Sequence, residues 1–226
     1  MLPDAIRRAS EGAGIAPQAC MKPSSARVRR PLLLAGLCLL MFAMLAVCVA
    51  AGIALPFDLP LLHWVEQKHT PWWDRCFLFF AAAGYGWGVV PASVLLVLWL
   101  AWRRRWQEAG FAALALAGSG LLNMALKRLF SRARPDVWPS IAPEPTWSFP
   151  SGHAMGSMAL VAVLVLLVWP TRMRWPVIAA MLIFVPMVGA SRVYLGVHYP
   201  SDILAGWAAA LAWVIGSYWL ISGRSR

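Results

Sequence analysis

The sequence has few charged residues, and acidic residues are especially scarce. Asp and Glu together number 9 in 226 residues, and all charged residues make up 13% of the chain, against about 25% in an average soluble domain. Hydrophobic residues reach 61%, and a soluble chain of this length has too little interior to bury so much apolar surface. The composition excludes a disordered tail and a typical cytosolic enzyme, and it predicts a membrane protein.

Cysteine is also scarce, and its spacing is typical of neither a disulfide scaffold nor a metal site. No C-x-x-C pair and no cysteine paired with histidine occurs among Cys20, Cys38, Cys48 and Cys76. We interpret these residues as small apolar side chains in the interior.

Six apolar runs are candidates for crossing the bilayer, whose hydrocarbon of about 30 Å needs ~20 residues of helix. None of them alternates as a barrel strand does. The sequence therefore predicts an all-α polytopic membrane protein with six transmembrane helices, over residues 32–55, 77–102, 109–126, 151–169, 176–195 and 203–221.

The predicted domain organisation has three parts. Residues 1–31 form a flexible basic tail, residues 32–222 form the six-helix membrane domain, and residues 223–226 form a short second tail. Met21 is an alternative start to Met1, and we expect the first apolar run to stay uncleaved because it exceeds the ~7–15 residues of a signal-peptide core.

The charges that are present are mostly positive, with 20 Lys and Arg and a net charge of +11. Thirteen of these cations lie at the two termini and in alternate loops, at 103–105, 172 and 174. The positive-inside rule places such segments in the cytoplasm, so we predict that both termini are cytoplasmic. An excess of positive charge is also typical of nucleic-acid-binding proteins. The large hydrophobic fraction of this chain argues against that function, so we predict no nucleic-acid partner.

Seven cations fall in the loops predicted to lie outside, and four of these crowd into eight residues. This first segment contains Lys127, Arg128, Arg132 and Arg134, and ends with Pro135. Converging cations bind phosphate. The alternative is a membrane anchor whose cations extend to lipid phosphates.

The second outer segment, Pro150-Ser151-Gly152-His153, lies at the start of the fourth predicted helix. Ser151 suits an N-cap, Gly152 lets a ligand approach the backbone, and a helix N-terminus attracts anions. The alternative is an ordinary capped helix start.

The third outer segment places Arg192 near membrane depth, where an ionisable residue is a functional candidate. Pro200 suits the first position of the last helix, with His198 just before it and Asp202 in its first turn. Asp202 can then fix the tautomer of His198. The alternative is that Asp202 only complements the helix dipole.

Together the three segments read K-x6-R-P, P-S-G-H and S-R-x5-H-x3-D. In this order and spacing they resemble the signature of the type 2 phosphatidic acid phosphatase family, which is related to vanadium haloperoxidases, and every motif position is filled. The predicted six-helix layout resembles the integral-membrane branch of that family. The resemblance covers residues 127–202.

The resemblance implies a phosphatase that needs no metal and no cofactor. His198 would attack phosphorus and form a phosphohistidine, Asp202 would orient His198, and His153 would protonate the leaving oxygen. The phosphate oxygens would be held by Lys127, Arg134, Ser151, Gly152 and Arg192. His63 and His69 match no motif and receive no role.

The position of the motifs predicts a lipid phosphate as substrate and the bilayer as partner. Family candidates are undecaprenyl pyrophosphate, phosphatidylglycerol phosphate, phosphatidic acid and lipid A phosphates. We expect a bacterial inner membrane protein whose site faces the periplasm or exterior, and we predict no oligomeric state. Trp138 and Trp147 could line the rim of the site or simply pack in their loop.

Three alternatives stay open on sequence. The same site could transfer phosphoryl groups between lipids, or hold vanadate and oxidise halides, although haloperoxidases in the family are soluble. A non-catalytic binding or transport protein would use the basic cluster without chemistry.

Overall fold

The structure is a computed structural model that describes the backbone of residues 25–223 and the side chains of residues 31–222. The predictions for most of the N-terminal tail, for the start residue, for Cys20 and for the last residues lie outside these ranges. Within them the chain contains no strand and eight helices: α1 Ser25–Ala50, α2 Asp58–Glu66, α3 Pro71–Ala83, α4 Val89–Trp102, α5 Trp106–Phe130, α6 Gly152–Val168, α7 Arg174–Tyr194 and α8 Pro200–Gly223. The predicted all-α class is confirmed.

Four of the described helices are long and apolar enough to cross a membrane. They are Pro31–Ala50 within α1, then α5, α7, and Pro200–Ser222 within α8. The apolar helices α4 and α6 are shorter, with 14 and 17 residues. The count of six crossings and the side of the termini therefore stay predictions.

The expected single helix over 77–102 is wrong, because the chain breaks between α3 and α4. Three glycines fall within residues 84–88. At Gly88 a Cβ atom would lie 2.1 Å from the carbonyl oxygen of Ala83, so the chain folds back there more closely than any side chain allows. The short helix α2 in the first outer segment was also not predicted.

Helix α8 lies at the centre of the packing. It packs against α1, α5 and α6, while α6 also packs against α5 and α7. At Gly206 a Cβ atom would lie 2.9 Å from the carbonyl oxygen of Ser151, so α8 lies directly against the turn that precedes α6. The four motif-bearing helices thus share one interior.

The outer surface of the bundle is apolar. The exposed fractions of Leu33, Leu40, Leu95 and Leu182 are 66%, 68%, 65% and 71%. Such a surface suits contact with lipid rather than water, so the large hydrophobic fraction of the sequence is accounted for by a lipid-facing exterior as well as a core. Of the cysteines that the structure describes, Cys38 is buried, and Cys48 and Cys76 are half-buried, all with free thiols.

Candidate active site

The three motif segments meet at one end of the bundle. This end is formed by the last turn of α5, the start of α6, the last turn of α7 and the start of α8. The arginine-containing loops at 103–105 and 169–174 follow the other ends of α4 and α6. All eight predicted site residues lie at this end: Lys127, Arg134, Ser151, Gly152, His153, Arg192, His198 and Asp202.

His198 and Asp202 form a fully buried pair. Pro200 begins α8 as predicted, and His198 Nδ1 lies 3.4 Å from Asp202 Oδ2. The hydroxyl of Ser148 donates to the same carboxylate oxygen and lies 3.3 Å from Nδ1. Ser148 lies outside the three motifs and was not predicted as a site residue.

The other ring nitrogen of His198 faces the cations. Nε2 lies 3.3 Å from Nη1 of Arg134. A guanidinium can only donate, so Nε2 is the acceptor and the ring proton lies on Nδ1, towards Asp202. Burial lowers the pKa of His198 to about 4, although Asp202 acts in the opposite direction. The ring is therefore neutral at neutral pH, with a lone pair directed into the site.

The start of α6 is held from two sides. Ser151 is the N-cap, as predicted, and its hydroxyl accepts from the backbone N–H of Ala154 at 3.4 Å. Its own backbone N–H donates to the carbonyl of Asp202 at 3.1 Å. On the α5 side, a Cβ atom at Gly152 would lie 3.0 Å from Oδ1 of Asn123. The turn is thus fixed against both helices, and Asn123 is a support that the motifs did not reveal.

The predicted phosphate-binding cations surround this turn. Arg134 donates to the carbonyls of Thr146 and Val197, both at 2.6 Å. Lys127 donates to the hydroxyl of Thr146 at 3.1 Å and to the carbonyl of Trp147. The loop of residues 136–149 is therefore held against the site by the same cations that the motif assigns to phosphate.

Arg192 is the most deeply buried of these cations, with 2% of its surface exposed. One of its terminal nitrogens donates to the carboxylate of Glu144. Among the described atoms its Nε has no hydrogen-bond partner. A buried donor of this kind leaves a position for an additional anionic oxygen.

Glu144 is the main residue of the site that the sequence reasoning missed. Its Oε2 accepts from Arg134 at 2.8 Å and lies 4.0 Å from His198 Nε2, and its Oε1 lies 3.6 Å from His153 Nδ1. Burial would raise the pKa of Glu144, but Arg192, His153, His198 and Arg134 bring it down to about 2. A carboxylate thus lies at the centre of the predicted phosphate-binding groups. An isolated acid between Pro143 and Pro145 carries no spacing signal.

Trp138 and His69 pack against neighbouring loop residues, away from this cluster. Trp138 covers Gly196, where a Cβ atom would lie 2.8 Å from its ring, and meets His69 edge-on. His69 in turn contacts Asp74 at 3.1 Å. Packing within the loops therefore accounts for Trp138, while Trp147 is 48% exposed and contributes its carbonyl to Lys127.

An apolar groove of about 620 Å³ leads from the site into the membrane-spanning region. It lies between α4, α5 and α6 and is lined by residues from Val90 and Val94 to Leu121. Leu98 and Leu121 on its walls are 60% and 63% exposed, so the groove is open to the lipid-facing side. The end of the groove nearest the site includes Gly152 and Tyr85. The ring of Tyr85 lies 5.0 Å from that of His153.

Comparison with known families agrees with this arrangement. The family model described as the PAP2 superfamily matches residues 108–226, which contain all three motifs. The chain belongs to the PAP2 superfamily. The family resemblance inferred from the motifs is therefore confirmed for this PAP2 protein, which is an integral membrane protein.

Relatives of this PAP2 chain include several curated phosphatases. A phosphatidylglycerophosphatase B of Bacillus subtilis is 27% identical over 76% of this chain and 87% of its own length. An undecaprenyl-diphosphatase of Sulfolobus acidocaldarius is 29% identical over 67% of this chain and 72% of its own. A lipid A 1-phosphatase of Rhizobium johnstonii is 36% identical over 58% and 53%.

Solved structures of the family share the fold. The crystal structure of a transmembrane PAP2 type phosphatidylglycerolphosphate phosphatase from Bacillus subtilis matches with a TM-score of 0.70 and 25% identity, over 86% of this chain and 95% of that one. Aquifex aeolicus LpxE matches with a TM-score of 0.58 and 25% identity, over 73% and 96%. The bundle of this PAP2 chain is therefore the fold of membrane phosphatases.

Proposed function

We propose that this PAP2 protein is a membrane lipid phosphatase that hydrolyses a phosphomonoester or pyrophosphate through a phosphohistidine. The observation that carries the proposal is the apolar groove, which ends beside His153 and is open to lipid on its other side. A lipid chain in the groove would place its phosphate among the cations and the two histidines. The names of the relatives agree, since each denotes a phosphatase of a lipid phosphate or diphosphate.

In the first half of the reaction, the Nε2 lone pair of His198 attacks phosphorus as the bond from phosphorus to the lipid oxygen breaks. Burial and then Arg192 lower the pKa of His153 to about 3 in the empty site, so the negative charge of the bound phosphate has to favour its protonated form. Protonated His153 then gives its proton to that oxygen. Asp202 stabilises the positive charge that develops on the His198 ring. Lys127, Arg134 and Arg192, with Ser151 and the Gly152 N–H, offset the charge on the phosphoryl oxygens.

In the second half, neutral His153 takes a proton from water as the water oxygen attacks phosphorus. The phosphorus–nitrogen bond breaks, and its electron pair returns to His198. Inorganic phosphate leaves and His153 is protonated again. The Glu144 carboxylate, which the incoming phosphate displaces from Arg134 and Arg192, then pairs with them again. Besides the lipid phosphate, water is the only reactant that the catalytic cycle consumes.

The site would face the periplasm or exterior of a bacterial inner membrane. Support comes from the arginine loops at the opposite end of the bundle, which the positive-inside rule assigns to the cytoplasm. The substrate classes that we favour are a prenyl pyrophosphate and a glycerolipid phosphate such as phosphatidylglycerol phosphate or phosphatidic acid. The motif residues contact the phosphate, so the groove has to select the lipid.

The test is phosphate release by purified protein from a panel of prenyl pyrophosphates and glycerolipid phosphates in mixed micelles. We expect release by the wild-type protein and by the control His63→Ala, whose ring is exposed beside Glu66, and none by His198→Ala. Unchanged release by His198→Ala would refute the mechanism. Label that moves to a second lipid, with no free phosphate, would identify a phosphotransferase instead.

A further inference from the structure

The carboxylate of Asp202 is held from two directions. Its Oδ2 faces His198 and accepts from the backbone N–H of Tyr199 at 2.9 Å. Its Oδ1 accepts from Nη1 of Arg132 at 2.6 Å. Arg132 is one of the four clustered cations of the first outer segment, but it occupies no motif position.

The guanidinium of Arg132 is itself fixed by Asp58, the first residue of α2. Nη2 of Arg132 donates to Asp58 Oδ2 at 2.9 Å. Asp58, 2% exposed, also accepts from the backbone N–H and the hydroxyl of Ser201 at 2.9 Å and 2.6 Å. Arg132 also lies over the ring of Tyr199, 3.9 Å from its centre.

Each group in this chain of contacts has a defined electrostatic role. Asp202 is buried beside a neutral imidazole, and a buried carboxylate needs a counter-charge. Arg132 supplies that charge at the oxygen that His198 does not use. Asp58 then offsets the charge of Arg132 and fixes its plane. The hydrogen bonds of Arg132 go to Asp202, Ser201 and Asp58, so its donors are directed away from the phosphate-binding groups.

We propose that Arg132 and Asp58 are positioning residues of the phosphatase, which hold the Asp202 carboxylate in the orientation that His198 needs. The proposal rests on the proposed function, because it takes His198 as the nucleophile. It assigns a role to α2, a helix that precedes all three motifs by more than 60 residues. The ion pair joins residues 74 positions apart in the chain.

The experiment compares Arg132→Gln, Arg132→Lys, Asp58→Asn and the double variant Asp58→Asn/Arg132→Gln in the full chain. Arg128→Gln is the matched control, since Arg128 is exposed in the same segment. We expect kcat to fall about 10- to 100-fold in the single neutral variants, the range found for outer partners that orient metal-binding histidines. KM should change little, Arg132→Lys should recover part of kcat, and the control should match the wild type.

The pH dependence separates positioning from a merely structural role. His198 is faced by Asp202 from α8, by Arg134 and Glu144 from the loop after α5, by Lys127 from α5 and by His153 from α6. Removing the cation of Arg132 makes this field more negative, so the acid limb of kcat/KM should move to higher pH. Removing the anion of Asp58 should move it to lower pH. The double variant should lie between them.

The outcomes are distinct. An unchanged kcat in both Arg132→Gln and Asp58→Asn overturns the proposal. A loss of kcat in both variants also overturns it if their acid limbs stay fixed or move in the same direction, because the ion pair would then have only a structural role. If Arg132→Gln does not fold, Asp58→Asn and Arg132→Lys decide on the same criteria. The proposed function fails separately, if wild-type protein releases no phosphate or His198→Ala is fully active.

Discussion

Replacing Glu144 with glutamine should strengthen the binding of phosphate-like anions. In the structure the Glu144 carboxylate accepts from Arg134 and Arg192, the two guanidiniums proposed to hold phosphate. An incoming phosphate must displace this carboxylate. Glutamine keeps an oxygen that can accept from the arginines but removes the negative charge, so each contact loses its ion-pair component. That component is about 1 kcal/mol at most for a partly exposed pair.

Two such contacts amount to at most about 2 kcal/mol, or about 30-fold in affinity. The measurement is the inhibition constant of vanadate, which resembles five-coordinate phosphorus, on phosphate release. We expect it to fall by up to about 30-fold in Glu144→Gln and to stay at the wild-type value in Glu66→Gln, whose carboxylate pairs with the exposed His63 within α2. Titration calorimetry with vanadate gives the same comparison if turnover slows.

The pH behaviour of the effect is also fixed by the structure. The pKa of Glu144 is held at about 2, below its ordinary value of 4.5. Its ion pairs are therefore fully formed above pH 4.5 and lost only as the pH falls towards 2. The affinity ratio between the two proteins should be constant from pH 5 to 8. Vanadate that binds Glu144→Gln no more tightly than the wild type would refute the view that Glu144 competes with phosphate.

Three further predictions concern the nucleophile, the groove and metal. Burial lowers the pKa of His198 to about 4, and the neutral ring is the nucleophile. The acid limb of kcat/KM should therefore lie well below pH 6.5, and a limb at or above pH 6.5 would contradict this. Ala117→Trp should fill the groove and raise KM for long-chain lipid phosphates while sparing a water-soluble phosphomonoester, and an equal loss on both substrates would argue against lipid in the groove. EDTA should leave phosphate release unchanged, and loss of activity that Mg²⁺ restores would contradict the metal-free scheme.

The parts of the site that the sequence predicted are those fixed by local chemistry. Ser151 caps α6, Pro200 begins α8, and His198 lies four residues before Asp202, so each arrangement is determined within one turn of chain. Their meeting at one end of the bundle followed from the alternation of basic loops. The alternation of basic loops was therefore enough to predict that these residues share one end of the bundle.

The parts that escaped prediction depend on contacts between distant segments. Glu144 meets Arg192 across 48 residues, and Asp58 meets Arg132 across 74. No periodicity or motif relates these pairs. The break at Gly84–Gly88 was missed for a different reason, since hydropathy averaged over a window does not register a backbone that folds back on itself.

Although acidic residues are scarce in this chain, some of them are paired with the cations of the site. Three acidic residues belong to the ion-pair network around the two histidines, and each accepts from at least one arginine: Asp58, Glu144 and Asp202. Four cations belong to the same site: Lys127, Arg132, Arg134 and Arg192. With Glu144 in place the site carries a formal charge of +1, and with Glu144 displaced it carries +2. A phosphomonoester brings about −1.5 to −2 at neutral pH, so the charge of the open site matches its proposed substrate. The exchange of one anion for another then leaves no large uncompensated charge near the membrane, where such a charge is most costly.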